Sequence, residues 1–416
     1  MRFCMITTFY PPYNFGGDGL FVQDLSAALA ARGHEVHVIH CRDAYNALAH
    51  RPPTEPYRVV PGVTVHGLAS PFGIMSPFAT QQIGRPLFKL RAIMDVLATG
   101  FDVIHFHNVS LVGGPAVLAL GNAVKLYTFH EYWLVCPTHL LFRFNTAPCV
   151  TRHCHLCTLS YGRPPQAWRA TGLRDASVRH VDAFLSPSRF GMTTHRRFGL
   201  DVPMLHLPSF VPDEGVPLAP GPPPAASPAA TPYFLYVGRL EHAKGPATLV
   251  AHFRQRGPAR LLVAGAGSQE AHLRHLADGD PRIELLGRVE RADLAALYRD
   301  ATAVIVPSLN FEMLPLVVLE ASRAGTPVVV RNRGALPEMV AESGGGLVYD
   351  DDDQLADALA TLLRDRERRD TLGRLGRTAY EQQWSTDVHL RRYLAIVADL
   401  WAGRQPAGLE PAGRAP

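Results

Sequence analysis

Two glutamates stand eight positions apart in "FEMLPLVVLEASRAG", Glu312 and Glu320, and two cations stand five apart in "YVGRLEHAKG", Arg239 and Lys244. The second stretch follows a strand-like run and opens a helix. Gly238 allows close backbone approach there, and a guanidinium beside an ammonium suits a diphosphate. In the first stretch Pro315 fits the opening turn of a helix, so the N–H groups of Leu316 and Val317 point out of its start and suit a phosphate. A carboxylate at that end accepts hydrogen bonds from ribose or sugar hydroxyls, which no apolar residue does. Each pattern also fits a plainer reading: a glycine turn with solvated cations, a solvated Glu320 and a surface Glu312.

Other residues carry weaker signals. "TFHEYW" puts His130 at the end of a strand. "YPPYNFGGDGLFVQDL" places Gly16, Gly17 and Gly19 between the first strand and helix, where backbone approaches a ligand or simply turns. "VAGAGSQEAHL" offers Gly265 and Gly267 after a strand but lacks the third glycine of a dinucleotide fingerprint, which is also missing after the first strand. It reads as a nucleotide-edge loop.

Four cysteines, Cys136, Cys149, Cys154 and Cys157, follow C-x12-C-x4-C-x2-C spacing inside an aperiodic stretch, residues 136–165. A structural zinc would staple such a loop, with His153 or His155 as substitute ligands. Free thiols are the competing reading, with a disulfide or an iron–sulfur centre behind them. The loop would shape an acceptor site and not catalyse. Asp350 to Asp353 separate a strand from a helix, and Asp353 is expected as the N-cap in place of a metal site.

The elements that must position these residues alternate. "RFCMITT", "HEVHVIHC", "DVIHFHN", "AVKLYTFH" and "AFLSPS" read as strands between helices. After a Pro- and Ala-rich stretch the alternation restarts with "YFLYVG", "ARLLVAG", "RIELLG", "ATAVIVPS" and "PVVVR". This predicts an α/β fold of two Rossmann-like, doubly wound domains facing a cleft. The expected division is 1–211, a linker at 212–232, a second domain at 233–385, a terminal helix at 386–401 and a disordered tail at 402–416.

At 416 residues, two domains are the natural expectation. The balance of 41 basic against 37 acidic residues gives +4, which excludes a nucleic-acid-binding signature but suits phosphorylated ligands. The start shows no secretory pattern and the apolar runs are too short for a span, so a cytoplasmic protein is expected. "RPLFKLRAIMDVL" is basic and amphipathic; it is either a packed helix or a peripheral membrane contact.

These motifs, in this order and spacing, resemble the retaining nucleotide-sugar glycosyltransferases of glycosyltransferase family 4, which have the GT-B fold. The resemblance rests on "GRLEHAKG", "EMLPLVVLE", "EASRAGTPVVV", "GALPE", "FGGDG", "DVIHFHN" and "TFHEYW", and covers nearly the whole chain. It implies that Arg239 and Lys244 bind the donor diphosphate, Glu312 the transferred sugar, Glu320 the ribose, and His130 the donor sugar. Gly17 would approach the phosphates or acceptor, and Val289 would hold the base through its backbone. It also implies a nucleotide-diphosphate sugar donor, most often UDP-linked, no catalytic metal, and a C-terminal helix that crosses back to the first domain. The implied acceptor is a glycan or a lipid-linked glycan, with a small metabolite as the alternative and an NAD-dependent oxidoreductase as the rival reading. Here Met313, Leu314 and Pro315 replace the family's Gly-Phe-Gly, and Gly334 stands alone where the family has a glycine pair.

Overall fold

The computed structural model describes residues 1–49, 52–53, 55–213 and 231–404. Its first sheet is built from β1 (Arg2–Ile6), β2 (Glu35–Cys41), β3 (Val63–Leu68), β4 (Val103–Phe106) and β5 (Val124–Thr128). A short antiparallel hairpin, β6 (Phe142–Arg143) and β7 (Ala147–Pro148), intervenes before β8 (Ala183–Ser186) and β9 (Met204–His206) complete the sheet. The strands are parallel in the order β3-β2-β1-β4-β5-β8-β9. β4 and β5 are buried along their whole length, as strands covered by helices on both faces must be.

The second sheet repeats this plan with β10 (Tyr233–Val237), β11 (Arg260–Ala264), β12 (Ile283–Gly287), β13 (Ala303–Val306), β14 (Val328–Arg331) and β15 (Gly346–Tyr349). Its order is β12-β11-β10-β13-β14-β15. In both sheets the winding reverses beside the first strand, between β1 and β4 and between β10 and β13. Ligands of open α/β sheets bind at the carboxyl ends beside such a reversal. These are the two Rossmann-like, doubly wound domains expected from the alternation, in the GT-B arrangement that the resemblance implies.

The terminal helix, Thr386–Arg404, runs three residues beyond its expected end. Leu390, Tyr393 and Val397 join the buried cluster of Phe3, Val36 and Val38, so this helix crosses back onto the first domain. Tyr393 Oη lies 3.0 Å from His105 Nδ1. Most of the expected linker, 214–230, and of the expected tail, 405–416, lies outside the described residues.

Several local expectations shift. The stretch 136–165 is not irregular throughout, since it contains the β6–β7 hairpin and a helix, Cys154–Ser160. Asp351, not Asp353, caps the helix Asp352–Arg364, accepting the Gln354 N–H at 2.9 Å. Lys89 does not add to a basic face. It turns inward and donates to Ser76 Oγ at 2.6 Å.

The domains meet through specific contacts. Glu338 accepts the N–H groups of Arg189 and Phe190, at 2.7 and 2.8 Å, at the start of a first-domain helix, Arg189–Arg197. Met313 belongs to the second domain in sequence, yet its side chain is buried in the first domain's core. Phe311 and Phe190 pack beside it, with ring centroids 5.4 Å apart. Arg291 donates to both carboxylate oxygens of Asp24 at 3.3 and 3.1 Å.

Candidate active site

A cleft of about 1450 Å³ lies between the sheets. Gly238, Arg239, Val289, Leu316 and Glu320 line it from the second domain; Asn14, Gly16, Asn108, Glu131 and His139 line it from the first. Lys244, Glu312, His130 and Gly17 are not in this lining; His130 and Gly17 adjoin Glu131 and Gly16, which are.

Arg239 and Lys244 occupy the turn after β10. Gly265, after β11, packs against this turn: at φ +149 a Cβ there would stand 1.9 Å from the Gly238 carbonyl oxygen. Only glycine lets the two loops meet. Lys244 Nζ donates to Glu312 Oε1 at 2.7 Å, and Ser308 Oγ donates to the same oxygen at 2.6 Å. Burial alone would raise the pKa of Glu312. The charge and hydrogen bond of Lys244, with Ser308 and Arg239, outweigh it and hold the carboxyl below its ordinary value.

Gly334 explains what "GALPE" does structurally. It sits at φ +64 against the Glu312 backbone, where a Cβ would come within 2.4 Å of the Glu312 nitrogen. The Ala335 N–H then donates to the Glu312 carbonyl at 3.0 Å. "GALPE" thus fixes Glu312 by backbone contact.

Glu320 lies one turn into the helix Leu316–Ala324 and faces the cleft, half-buried. Tyr298 Oη donates to its Oε2 at 2.6 Å. Burial and this carboxylate push the Tyr298 hydroxyl well above its ordinary pKa. No side chain caps the helix start at Pro315. Leu316 reaches across the cleft, where a Cβ on Gly17 would stand 3.2 Å from its Cδ1. Val317 packs against the second domain's core, so only its backbone faces the helix start.

His130 Nε2 lies 2.9 Å from His107 Nδ1. Burial lowers its pKa, partly offset by Asp18 and Glu131, so the imidazole is neutral at physiological pH. His107, Tyr298, Ser308, Glu131 and His139 were not singled out from the sequence. Ser308 alone carries a short-range signal, four positions before Glu312.

Cys136, Cys149, Cys154 and Cys157 line one small cavity of about 20 Å³ and are free thiols. Among the described residues, no three His, Cys, Asp or Glu side chains are grouped so that they could hold a metal ion. Hydrogen bonds hold the loop in its place: Arg169 donates to the Trp133 carbonyl at 2.5 Å, and Tyr161 Oη to the Phe142 carbonyl at 2.6 Å.

Two Rossmann-like domains facing one cleft, with Arg239 and Glu320 in its wall, have the architecture of the GT-B glycosyltransferases. Residues 15–214 match the model described as Glycosyltransferase Family 4, and residues 223–379 match that described as Glycosyl transferases group 1. A D-inositol 3-phosphate glycosyltransferase of Xylanimonas cellulosilytica is 30% identical over 425 residues, covering 94% of this chain and 93% of that protein. A glycogen synthase of Mycobacterium tuberculosis is 28% identical over 441 residues, covering 100% and 98%. The chain belongs to glycosyltransferase family 4, and the oxidoreductase reading falls with that assignment.

Solved structures agree on the fold. Sucrose-phosphate synthase from Thermosynechococcus elongatus superposes with a TM-score of 0.76 at 23% identity, over 97% of this chain and 99% of that one. Anabaena HepE in complex with UDP-glucose gives 0.66 at 16% identity, over 96% and 100%.

Proposed function

We propose that this enzyme transfers a hexose from a UDP-sugar, with retention of configuration, to a hydroxyl of a cell-surface or lipid-linked glycan at the cytoplasmic face of a membrane. The observation that carries the donor half is the Lys244–Glu312 pair beside Arg239. It places two cations and an ionised carboxylate together at the carboxyl end of β10, next to the ribose-suited Glu320. The bound UDP-glucose of HepE supports the choice of base.

The residues divide the work as follows. Arg239 and Lys244 neutralise the diphosphate and stabilise the charge that grows on it as the glycosidic bond breaks. Glu312 accepts from sugar hydroxyls, Glu320 accepts from the ribose, and the backbone at Val289 holds the base. The Leu316 and Val317 N–H groups meet a phosphate oxygen at the helix start. His130 lies against the donor sugar, and Gly17 lets the first domain close on the phosphates. The acceptor hydroxyl attacks from the face the nucleotide leaves, and the departing phosphate takes its proton.

The acceptor half rests on an exposed apolar patch. Phe72, Ile74, Met75, Phe78, Phe88 and Met94 are all exposed, and Phe72 and Phe88 pair with centroids 4.4 Å apart. Ile74 and Phe78 also line the cleft, so the patch runs into the site. Arg91 flanks it, with its side chain almost wholly in solvent. Such a surface suits a bilayer carrying the acceptor. Among the described residues no helix is long and apolar enough to cross a membrane. A small polyol phosphate is the second reading, favoured by the inositol-phosphate relative. A screen of UDP-, GDP- and ADP-sugars for released nucleotide tests the donor. Release from a UDP-sugar above the others is expected, and preference for another base would overturn the assignment.

A further inference from the structure

We propose that His107 is a positioning residue for the transfer: its Nδ1–H donates to His130 Nε2 and so fixes His130 with its own proton on Nδ1, the nitrogen left to offer the donor sugar. This rests on the reading above that His130 lies against that sugar. The two rings stack with centroids 5.2 Å apart, and His107 Nδ1 stands 2.9 Å from His130 Nε2. Burial keeps both imidazoles neutral, so one of these nitrogens donates and the other accepts. The direction of that hydrogen bond sets what His130 has left for a ligand.

The far nitrogen of His107 gives the direction. His107 Nε2 is sealed from solvent and has no hydrogen-bond partner among the described residues. A proton there would be a buried donor with nothing to receive it, a defect that folded interiors almost never hold; a bare lone pair is the lesser one. The proton of His107 therefore belongs on Nδ1, and His130 accepts it at Nε2. His130 Nδ1 then carries the remaining proton. That nitrogen has no partner among the described residues and, unlike His107 Nε2, is not sealed.

The surroundings hold His107 in this orientation. Its backbone N–H donates to the Ile6 carbonyl at 2.9 Å, just past the end of β4. His105 lies two residues earlier and so on the same face, with its ring centroid 4.1 Å from that of His107. His105 is itself pinned between Thr128 Oγ1 at 2.8 Å and Tyr393 Oη at 3.0 Å. Tyr393 belongs to the terminal helix, so the element that crosses back from the second domain braces, through His105, the ring that orients His130. Phe21 packs edge-on against His107 and His130, with centroids 6.1 and 5.2 Å away.

Proton–nitrogen correlation spectra of the histidine-labelled full chain read the tautomer, because only Nε2 couples to both carbon-bound ring protons; the His130 signals are those missing from His130→Ala. Hydrolysis of UDP-glucose is measured on the same proteins. The parent is expected to hold the His130 proton on Nδ1. His107→Leu fills the space without a donor, and is expected to lose that signature together with about tenfold in kcat/KM. His107→Asn places an amide N–H near the position of Nδ1–H, and is expected to recover most of both. A parent with the His130 proton on Nε2, a folded His107→Leu within about twofold of the parent, or equal losses in the two variants would overturn the proposal. If His107→Leu does not fold, the parent's spectrum and His107→Asn decide. If the folded parent releases no nucleotide from UDP-, GDP- or ADP-glucose, the donor reading fails and takes this inference with it. If His130→Ala hydrolyses UDP-glucose as the parent does, the role of His130 fails and the inference with it. If His130→Ala is inactive and the parent active, both readings stand and the His107 variants alone decide.

Discussion

Lys244 and Glu312, sixty-eight residues apart in the chain, meet at 2.7 Å with Glu312 almost fully buried. The lysine keeps the carboxylate ionised, and the carboxylate in turn holds the lysine at the mouth of the β10 turn. Removing one partner strands the other. Lys244→Ala should cost about 2 kcal/mol of stability, below the roughly 3–5 of a fully buried pair because Lys244 keeps 26% of its side chain in water. Glu312→Gln should cost less, and the double variant less than the sum. Denaturant melts of the four proteins check this; strict additivity would mean that the pair does not couple.

Tyr298 supplies the only side-chain hydrogen bond recorded for Glu320 among the described residues. If Glu320 holds the ribose as proposed, Tyr298→Phe removes about 1 kcal/mol of orientation from that carboxylate, raising donor KM about fivefold at unchanged kcat. Initial rates against donor concentration distinguish this from a fall in kcat, which would place Glu320 in the chemical step.

Buried histidines make stability pH-dependent. Burial pushes His40 to about 3, and His195 and His389 to about 4. Their folded pKa values lie below the unfolded 6.5, so the unfolded chain binds the extra protons. Their contribution is fully present above pH 6.5 and is lost as pH falls toward the folded values. At about pH 5.5 the loss is about 1.4 kcal/mol for each, about 4 for the three. Glu312, also depressed, adds its loss only below the ordinary carboxylate range. Thermal melts from pH 8 to pH 5 should show a flat region, then a steady fall below 6.5. A flat profile to pH 5 would contradict the burial of these rings.

The apolar patch beside the cleft should partition to lipid. Flotation with phosphatidylserine vesicles is expected to carry the protein, phosphatidylcholine vesicles less so. Phe78→Ser with Phe88→Ser should abolish flotation. Equal recovery of parent and variant would remove the membrane from the proposal.

The chain's alternation of short apolar strands and helices made both sheets legible, because parallel strands buried on two faces leave continuous β-branched runs. Arg239, Lys244, Glu312 and Glu320 were legible because glycine, proline and charge cluster at the ends of those runs. What escaped notice depends on partners distant in sequence. Tyr298 reaches Glu320 over twenty-two residues, and His139 reaches Glu131 only because a loop doubles back. Met313 stands in the stretch that departs from the family's Gly-Phe-Gly. In the fold it is an apolar plug in the other domain's core, which no periodicity within its own segment reports. Lys89 lies in the basic, amphipathic "RPLFKLRAIMDVL", and a count of charge along that stretch does not report the Ser76 hydroxyl that it meets inside.

The most direct test of the donor site is the rate of UDP release from UDP-glucose by the parent, Lys244→Ala and Glu312→Ala, each confirmed folded by its melt. Loss of an oriented charge at the breaking bond is expected to slow both variants by about a hundredfold or more. Rates within threefold of the parent would show that the pair serves the fold alone and that the sugar is transferred elsewhere in the cleft.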